Sequence, residues 1–223
     1  MIGGLAAVAG LALVAPADLG LSDRYVLRSG ALFTTIALMA LGFLGDHHPF
    51  ERFGAANIVT TARAALVSLV AGLIGEPAVP SVAAAALLLG FVATMMDGVD
   101  GWMARRTRMG SAFGARFDME IDALLILVLA LLAWRHGKAG AWVMCSGVLR
   151  YAFVVVGWLM PWLGRPLFPS VRRQAMCVAQ VAGLMVVMAP AVTPPTSGHV
   201  AALALVALSY SFLVDSWWLW RQA

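Results

Sequence analysis

Charge is what this sequence has least of. Asp, Glu, Lys and Arg make up 12% of its 223 residues, about half the share of an ordinary soluble domain. With 62% hydrophobic residues, that shortage excludes a fold solvated mainly by water and points to lipid. Cysteine is scarce too. Cys145 and Cys177 lie inside apolar stretches and read as small buried hydrophobes, implying neither a disulfide nor a metal site. Alternating apolar and polar strands of the outer-membrane barrel type are missing. Backbone groups in lipid must then be bonded within their own segments, so the expected fold is all-α. The first apolar stretch, residues 1–15, has no basic region ahead of it and is short for a span. That argues against a signal peptide and leaves a short or interfacial helix. The net charge of +4 comes without a basic face or a base-stacking module, so nucleic acid is not an expected partner.

What is present is a series of long apolar runs broken by Gly, Pro and short charged loops. Residues 29–45 form one helix candidate, and six more follow at 57–74, 81–96, 117–134, 140–158, 173–188 and 198–220. Prolines at 77 and 80, at 161, 166 and 169, and at 190, 194 and 195 fall where helices should stop. The expectation is an all-α integral membrane protein with a hydrophobic extension over residues 1–55, holding one or two helices, and a six-helix transmembrane core over 56–223. Arg105, Arg106, Arg108 and Arg116 sit in the expected connection 97–116; Arg165, Arg172 and Arg173 sit in a later one, and Arg221 in the tail. The positive-inside rule puts all of these in the cytoplasm. Glu76 and the polar turn 193–199 then lie on the far side, with Arg135 and Lys138 as misfits.

The informative segment runs from Met96 to Asp122. Asp97 and Asp100 are three apart at the end of one apolar helix; Asp118 and Asp122 are four apart near the start of the next. Either spacing puts a pair on one helical face, and a connecting loop lets the pairs converge. One plain reading is four solvated carboxylates that end two helices. The sharper one follows from cost, since an Asp in a membrane helix is penalised by roughly 2.5 to 3.5 kcal/mol. Four crowded carboxylates would also repel one another. Divalent cations with oxygen ligands remove both penalties and suit Mg²⁺ or Mn²⁺ better than zinc. Phosphate chemistry is the usual reason to hold such ions, and Arg105 is placed to add a phosphate clamp.

Asp97, Asp100, Gly101, Ala104, Arg105, Gly114, Asp118 and Asp122 together resemble the signature Asp-x2-Asp-Gly-x2-Ala-Arg-x8-Gly-x3-Asp-x3-Asp of the CDP-alcohol phosphatidyltransferases, without insertion or gap. Asn57-x2-Thr60-x2-Arg63 likewise resembles the opening of that family's first core helix. The resemblance implies six helices, a dinuclear metal site on the four aspartates, and Asp122 as the base toward the attacking alcohol, with Asp118 beside it. It implies that Gly101, Ala104 and Gly114 let the cytidine diphosphate lie close to the backbone, with Arg105 on its phosphates and Asn57 and Thr60 at the substrate. It also implies release of CMP from a CDP-linked lipid, CDP-diacylglycerol, and a homodimer. The expected setting is the inner, cytoplasmic membrane of a bacterium, with the active site facing the cytoplasm.

Other residues keep two readings. Gly110 and Gly114 could pack helices as a small-x3-small pair. Arg150, inside the apolar run 148–156, faces the acceptor or a metal-site carboxylate, or else snorkels to the interface. Arg172 and Arg173 touch an acceptor phosphate or simply anchor a loop. Together the three arginines lean toward glycerol-3-phosphate as acceptor, although Ala123-Leu124-Leu125-Ile126 lacks the basic residue that often follows the last aspartate in glycerophosphate and inositol-phosphate members. His47 and His48 are adjacent and read as loop residues. The competing function is a polytopic transporter or cation-handling protein, which predicts acidic groups near the bilayer midplane on two repeat halves.

Overall fold

Most helices end close to where the apolar runs end. The computed structural model describes residues 20–47, 53–107, 111–160, 162, 163, 165 and 170–222; for 45–47, 100–105 and 107 it describes the backbone alone. Among the described residues there are seven α-helices and no strand. They are α1 (Arg24–His47), α2 (Ala55–Gly72), α3 (Pro80–Thr107), α4 (Ala112–Arg135), α5 (Cys145–Leu159), α6 (Val171–Met188) and α7 (Thr196–Trp220). Short 3₁₀ turns extend α2 over Leu73–Gly75 and precede α5 over Ala141–Met144. The expected segment 1–15 lies outside the described residues, as do His48, Arg108 and Gly110.

The largest departure from the expected boundaries is α3. Its helix does not stop at residue 96 but continues through Asp97 and Asp100 to Thr107. Gly98 and Gly101 each weaken a helix interior by about 1 kcal/mol relative to Ala. No proline follows to remove a backbone donor, so the hydrogen-bond ladder runs on. Helix α4 likewise begins inside the connection expected over 97–116, at Ala112, where Ser111 caps it by accepting from the Gly114 N–H at 3.0 Å.

Six segments are long and apolar enough to cross a membrane: Arg24–Leu44, Ala55–Gly75, Pro80–Val99, Ala141–Leu159, Val171–Met188 and Thr196–Trp220. The chain is an integral membrane protein. Helix α4 is absent from that set because Arg116, Asp118, Glu120 and Asp122 crowd its first half. Its second half is the centre of the bundle, with Leu125, Leu129, Leu132 and Ala133 almost wholly buried. Outward faces carry Leu203, Val206, Leu213 and their like, as lipid-facing helices should. Arg221 lies over the Trp217 ring at 3.7 Å from its centroid, in keeping with an aromatic belt. Cys145 departs from the expected burial: it is exposed at the start of α5, because that helix turns most of its surface away from the bundle.

Helix α1 belongs to the same core, through Tyr25, Phe33 and Ala40. Its N-terminal end is tied to the loop after α2 by Glu76. That carboxylate accepts from the Ser22 N–H at 2.7 Å, the Ser22 hydroxyl at 2.6 Å and Arg28 Nη1 at 2.9 Å. Residues without side chains make the approach possible: a Cβ on Gly72 would strike Ser29 and Tyr25, and one on Gly75 the Arg28 guanidinium. Helix α1 therefore runs antiparallel to α2. Glu76→Ala should destabilise the protein by about 2 kcal/mol, the scale of hydrogen bonds to a buried charge. A lowered melting temperature in detergent, with α1 more open to proteolysis, is the expected readout.

Lys138, a misfit for the positive-inside pattern, has a local cause. It is buried, and its ammonium donates to the carbonyls of Ala189 at 2.8 Å and Val192 at 2.6 Å. A cation at the C-terminal end of α6 satisfies orphan carbonyls there. The Ser197 hydroxyl donates to the Lys138 carbonyl at 2.6 Å, so the α4–α5 and α6–α7 turns are clipped together. Lys138 is a strut rather than a loop anchor.

Candidate active site

A single arginine organises the acidic residues. Arg63, in the middle of α2, is 1% exposed, and its guanidinium reaches three carboxylates on two other helices. Nη1 lies 2.9 Å from Asp97 Oδ1 on α3 and bonds Asp118 Oδ1 on α4. Nη2 bonds Asp122 Oδ1, one turn further along α4. Nε donates to the Ala93 carbonyl at 3.1 Å. A buried cation is tolerated only when its donors are paired, and here every nitrogen of the fork has an acceptor. The same pairing relieves repulsion among the carboxylates.

Asp97, Asp118 and Asp122 each bring a carboxylate oxygen within 4.8 Å of the others. Their side chains are about a third exposed, at 36%, 35% and 28%, so the cluster opens to the outside of the bundle while Arg63 closes it from within. The donor set fits a hard divalent cation. Oxygens around one small octahedral ion stand about 3 to 4 Å apart, and a spread up to 4.8 Å also suits two ions about 3.5 to 4 Å apart. A carboxylate has roughly four lone-pair positions on two oxygens, so Arg63 and a cation can share it.

The expected site residues fare unequally. Asp97, Asp118 and Asp122 are brought together as the spacing implied. For Asp100, Gly101, Ala104 and Arg105 the side chains lie outside the described ones; their backbone is helical within α3. Positions 97, 101, 104 and 105 share one face by helical periodicity. Asn57 and Thr60 are buried on α2, at 4% and 2% exposure. Asn57 Nδ2 donates to the Phe53 carbonyl at 2.5 Å and Thr60 Oγ1 to the Ala56 carbonyl at 3.1 Å. These bonds hold their polar groups against their own helix at the α2–α4 seam.

Gly114 sits in that seam. A Cβ there would come within 2.7 Å of Asn57 Oδ1 and 3.3 Å of Ser111 Oγ, so its packing role is visible. Gly114→Ala should cost about 1 to 3 kcal/mol by overpacking. Adding Asn57→Ala should recover part of that loss. Thermal denaturation of the two single variants and the double variant checks the coupling, and simple additivity would contradict it.

Arg150 does not reach the three-aspartate cluster through any observed ion pair. It pairs with Glu120 at 2.6 Å and lies 3.0 Å from Met119 Sδ. Glu120 falls between the motif aspartates and turns to the opposite side of α4. Arg172 and Arg173 lie at the start of α6 and meet Asp215 of α7. Neither Glu120 nor Asp215 stood out in the sequence as a partner. Arg63 appeared there only as the last residue of a motif, with no role. An arginine inside an apolar helix, three residues after a threonine on the same face, was the available signal.

Of the known protein families, a family model described as CDP-alcohol phosphatidyltransferase matches residues 53–217. No curated protein and no solved structure matches the chain.

Proposed function

The chain belongs to the CDP-alcohol phosphatidyltransferase family, and from that premise we propose that it moves a phosphatidyl group from CDP-diacylglycerol to an alcohol acceptor and releases CMP. Transfer between a CDP-alcohol and an alcohol in a membrane is the family's chemistry, and it depends on divalent metal. The finer reading rests on one observation above all: Asp97, Asp118 and Asp122 converge from two helices on the buried Arg63.

Asp97, Asp100, Asp118 and Asp122 would hold two divalent cations, Mg²⁺ or Mn²⁺, as their all-oxygen donor set favours. Such ions, when bound, offset the charge on the phosphates of the donor and of departing CMP. The chain's own residues do the rest. Arg63 keeps the carboxylates gathered. Asp122 takes the proton of the attacking hydroxyl as its oxygen bonds the lipid-bearing phosphorus. The bond from that phosphorus to the CMP oxygen breaks, and CMP leaves with the electron pair. Arg105, Gly101 and Ala104 on one face of α3, with Gly114 across the connection, receive the cytidine diphosphate. The acceptor is a phosphorylated alcohol such as glycerol-3-phosphate, met by Arg150, Arg172 and Arg173. With the arginine-rich end of the bundle in the cytoplasm, the site serves phospholipid biosynthesis at the inner leaflet. The protein works as a homodimer.

The test is CMP release by the full-length protein in detergent or vesicles, with CDP-diacylglycerol, a panel of alcohols, and Mg²⁺ or Mn²⁺. Turnover with at least one alcohol, abolished by a chelator, is expected. No CMP release with any member of the panel would sink the reading. The transporter alternative predicts acids spread over two repeat halves, whereas these three sit at one helix–loop–helix; nothing favours it.

A further inference from the structure

Gln180 is a polar side chain that the bundle buries and leaves unsatisfied. It lies midway along α6, inside a span, and is 0% exposed. Neither its Oε1 nor its Nε2 has a hydrogen-bond partner among the described residues. Buried Thr61 and Ser68 find a local answer, donating to the Asn57 and Ala64 carbonyls of their own helix at 2.8 Å and 2.7 Å. The Ser29 and Ser146 hydroxyls also lack partners, but a carboxamide has two donors as well as two lone pairs to fill.

Helix α6 packs against α3, α4 and α7, and Gln180 stands between two of its rows. On one side, a Cβ on Gly183 would come within 2.8 Å of the Ala204 Cβ of α7. On the other, Val181 and Leu184 enter the core with Ala93, Ile121 and Leu125. Ala93 gives its carbonyl to Arg63 Nε, and Ile121 adjoins Asp122 in the chain. Lys138 ties the far ends of α4 and α6 together. Counted back from those ends, Asp122 lies thirteen residues along α4 and Gln180 eight residues along α6. Gln180 is therefore about 7 Å farther from the arginine-rich end than Asp122, beneath the carboxylate cluster.

Building on the transferase reading, we propose that the Gln180 carboxamide binds a neutral hydroxyl at the base of the active site, supplied by the alcohol acceptor or by an ordered water. Its chemistry selects that class. A hydroxyl both donates and accepts, and so satisfies Oε1 and Nε2 together. A phosphate would leave Oε1 without a donor, and a cation would leave Nε2 without an acceptor. An amide kept from water with neither group paired costs stability, and such groups concentrate where function requires them.

The experiment sets melting temperature against steady-state kinetics in the full-length protein. Gln180→Met keeps the unbranched shape and removes both polar groups. If the acceptor supplies the hydroxyl, the socket is empty without it. The variant, in chelator and without substrates, should then melt about 2 to 4 °C above the wild type. Its KM for alcohols with a further hydroxyl should rise about tenfold, one decade of affinity, with the KM for a monohydric alcohol unmoved. If a water supplies the hydroxyl, melting should stay level and kcat should fall about tenfold with every alcohol. Gln180→Asn sets the carboxamide one methylene back and should lose less activity; it decides the matter if the methionine variant does not fold. An active wild type whose kcat and KM values both variants leave within about twofold would overturn the role of Gln180 alone. So would a fall in melting temperature and activity together that Gln180→Asn does not lessen, the mark of a packing role. A wild type that releases no CMP with any alcohol takes the transferase reading down with it.

Discussion

Asp122→Asn is expected to slow CMP release by at least about 10²-fold, the lower end of what a positioned general base contributes. Melting temperature should change little, because the amide keeps one oxygen for Arg63 Nη2. Asn cannot take a proton at neutral pH and is a weaker ligand for a divalent cation, so base and metal roles are lost together. Asp118→Asn separates them. It leaves the proposed base in place and removes one ligand charge, so its defect should be partly offset by raised Mn²⁺, whereas that of Asp122→Asn should persist at any metal concentration. If both variants turned over like the wild type, the assignment of roles would be wrong.

Arg63→Met should have the largest effect on the folded state. Removing one partner of a buried charge network costs about 3 to 5 kcal/mol, and here three carboxylates lose their shared counterion at once. The side chains are similar in length, so packing is roughly kept and the loss is mainly electrostatic. Two readouts are expected. In chelator, the variant should melt well below the wild type. On addition of Mn²⁺ its melting temperature should rise more steeply than the wild type's, because the cation then supplies the positive charge and binding stabilises the folded state by mass action. Arg63→Lys should be intermediate, since one ammonium cannot span three carboxylates as a planar fork does. Equal melting of Arg63→Met and wild type in chelator would contradict the proposed role of Arg63.

Helices were legible wherever a local rule governed them. Apolar runs bounded by Pro and Gly located all seven described helices, but α4 begins at Ala112, five residues before its expected start at 117, because Ser111 caps it there. Helix α3 ran past its expected end because glycine merely weakens a helix, whereas proline breaks its ladder. The pairing of Asp118 with Asp122 followed from a four-residue spacing. Cys145 was misread because burial was inferred from apolar neighbours, and in lipid an exposed position has apolar neighbours as well.

Composition and spacing by themselves determined that this chain is an all-α membrane protein and that its aspartates pair on single faces of neighbouring helices; the motif residues supplied the family resemblance. Only the tertiary structure decided which cation meets which acid: Arg63 with Asp97, Asp118 and Asp122, Arg150 with Glu120, Arg172 with Asp215, and Glu76 with the start of α1. The reason is physical. A helix's period constrains residues within a turn or two. Contacts between positions 30 or more apart in the chain, as between Arg63 and Ala93, depend on how whole helix faces pack, and no short window of sequence carries that sum.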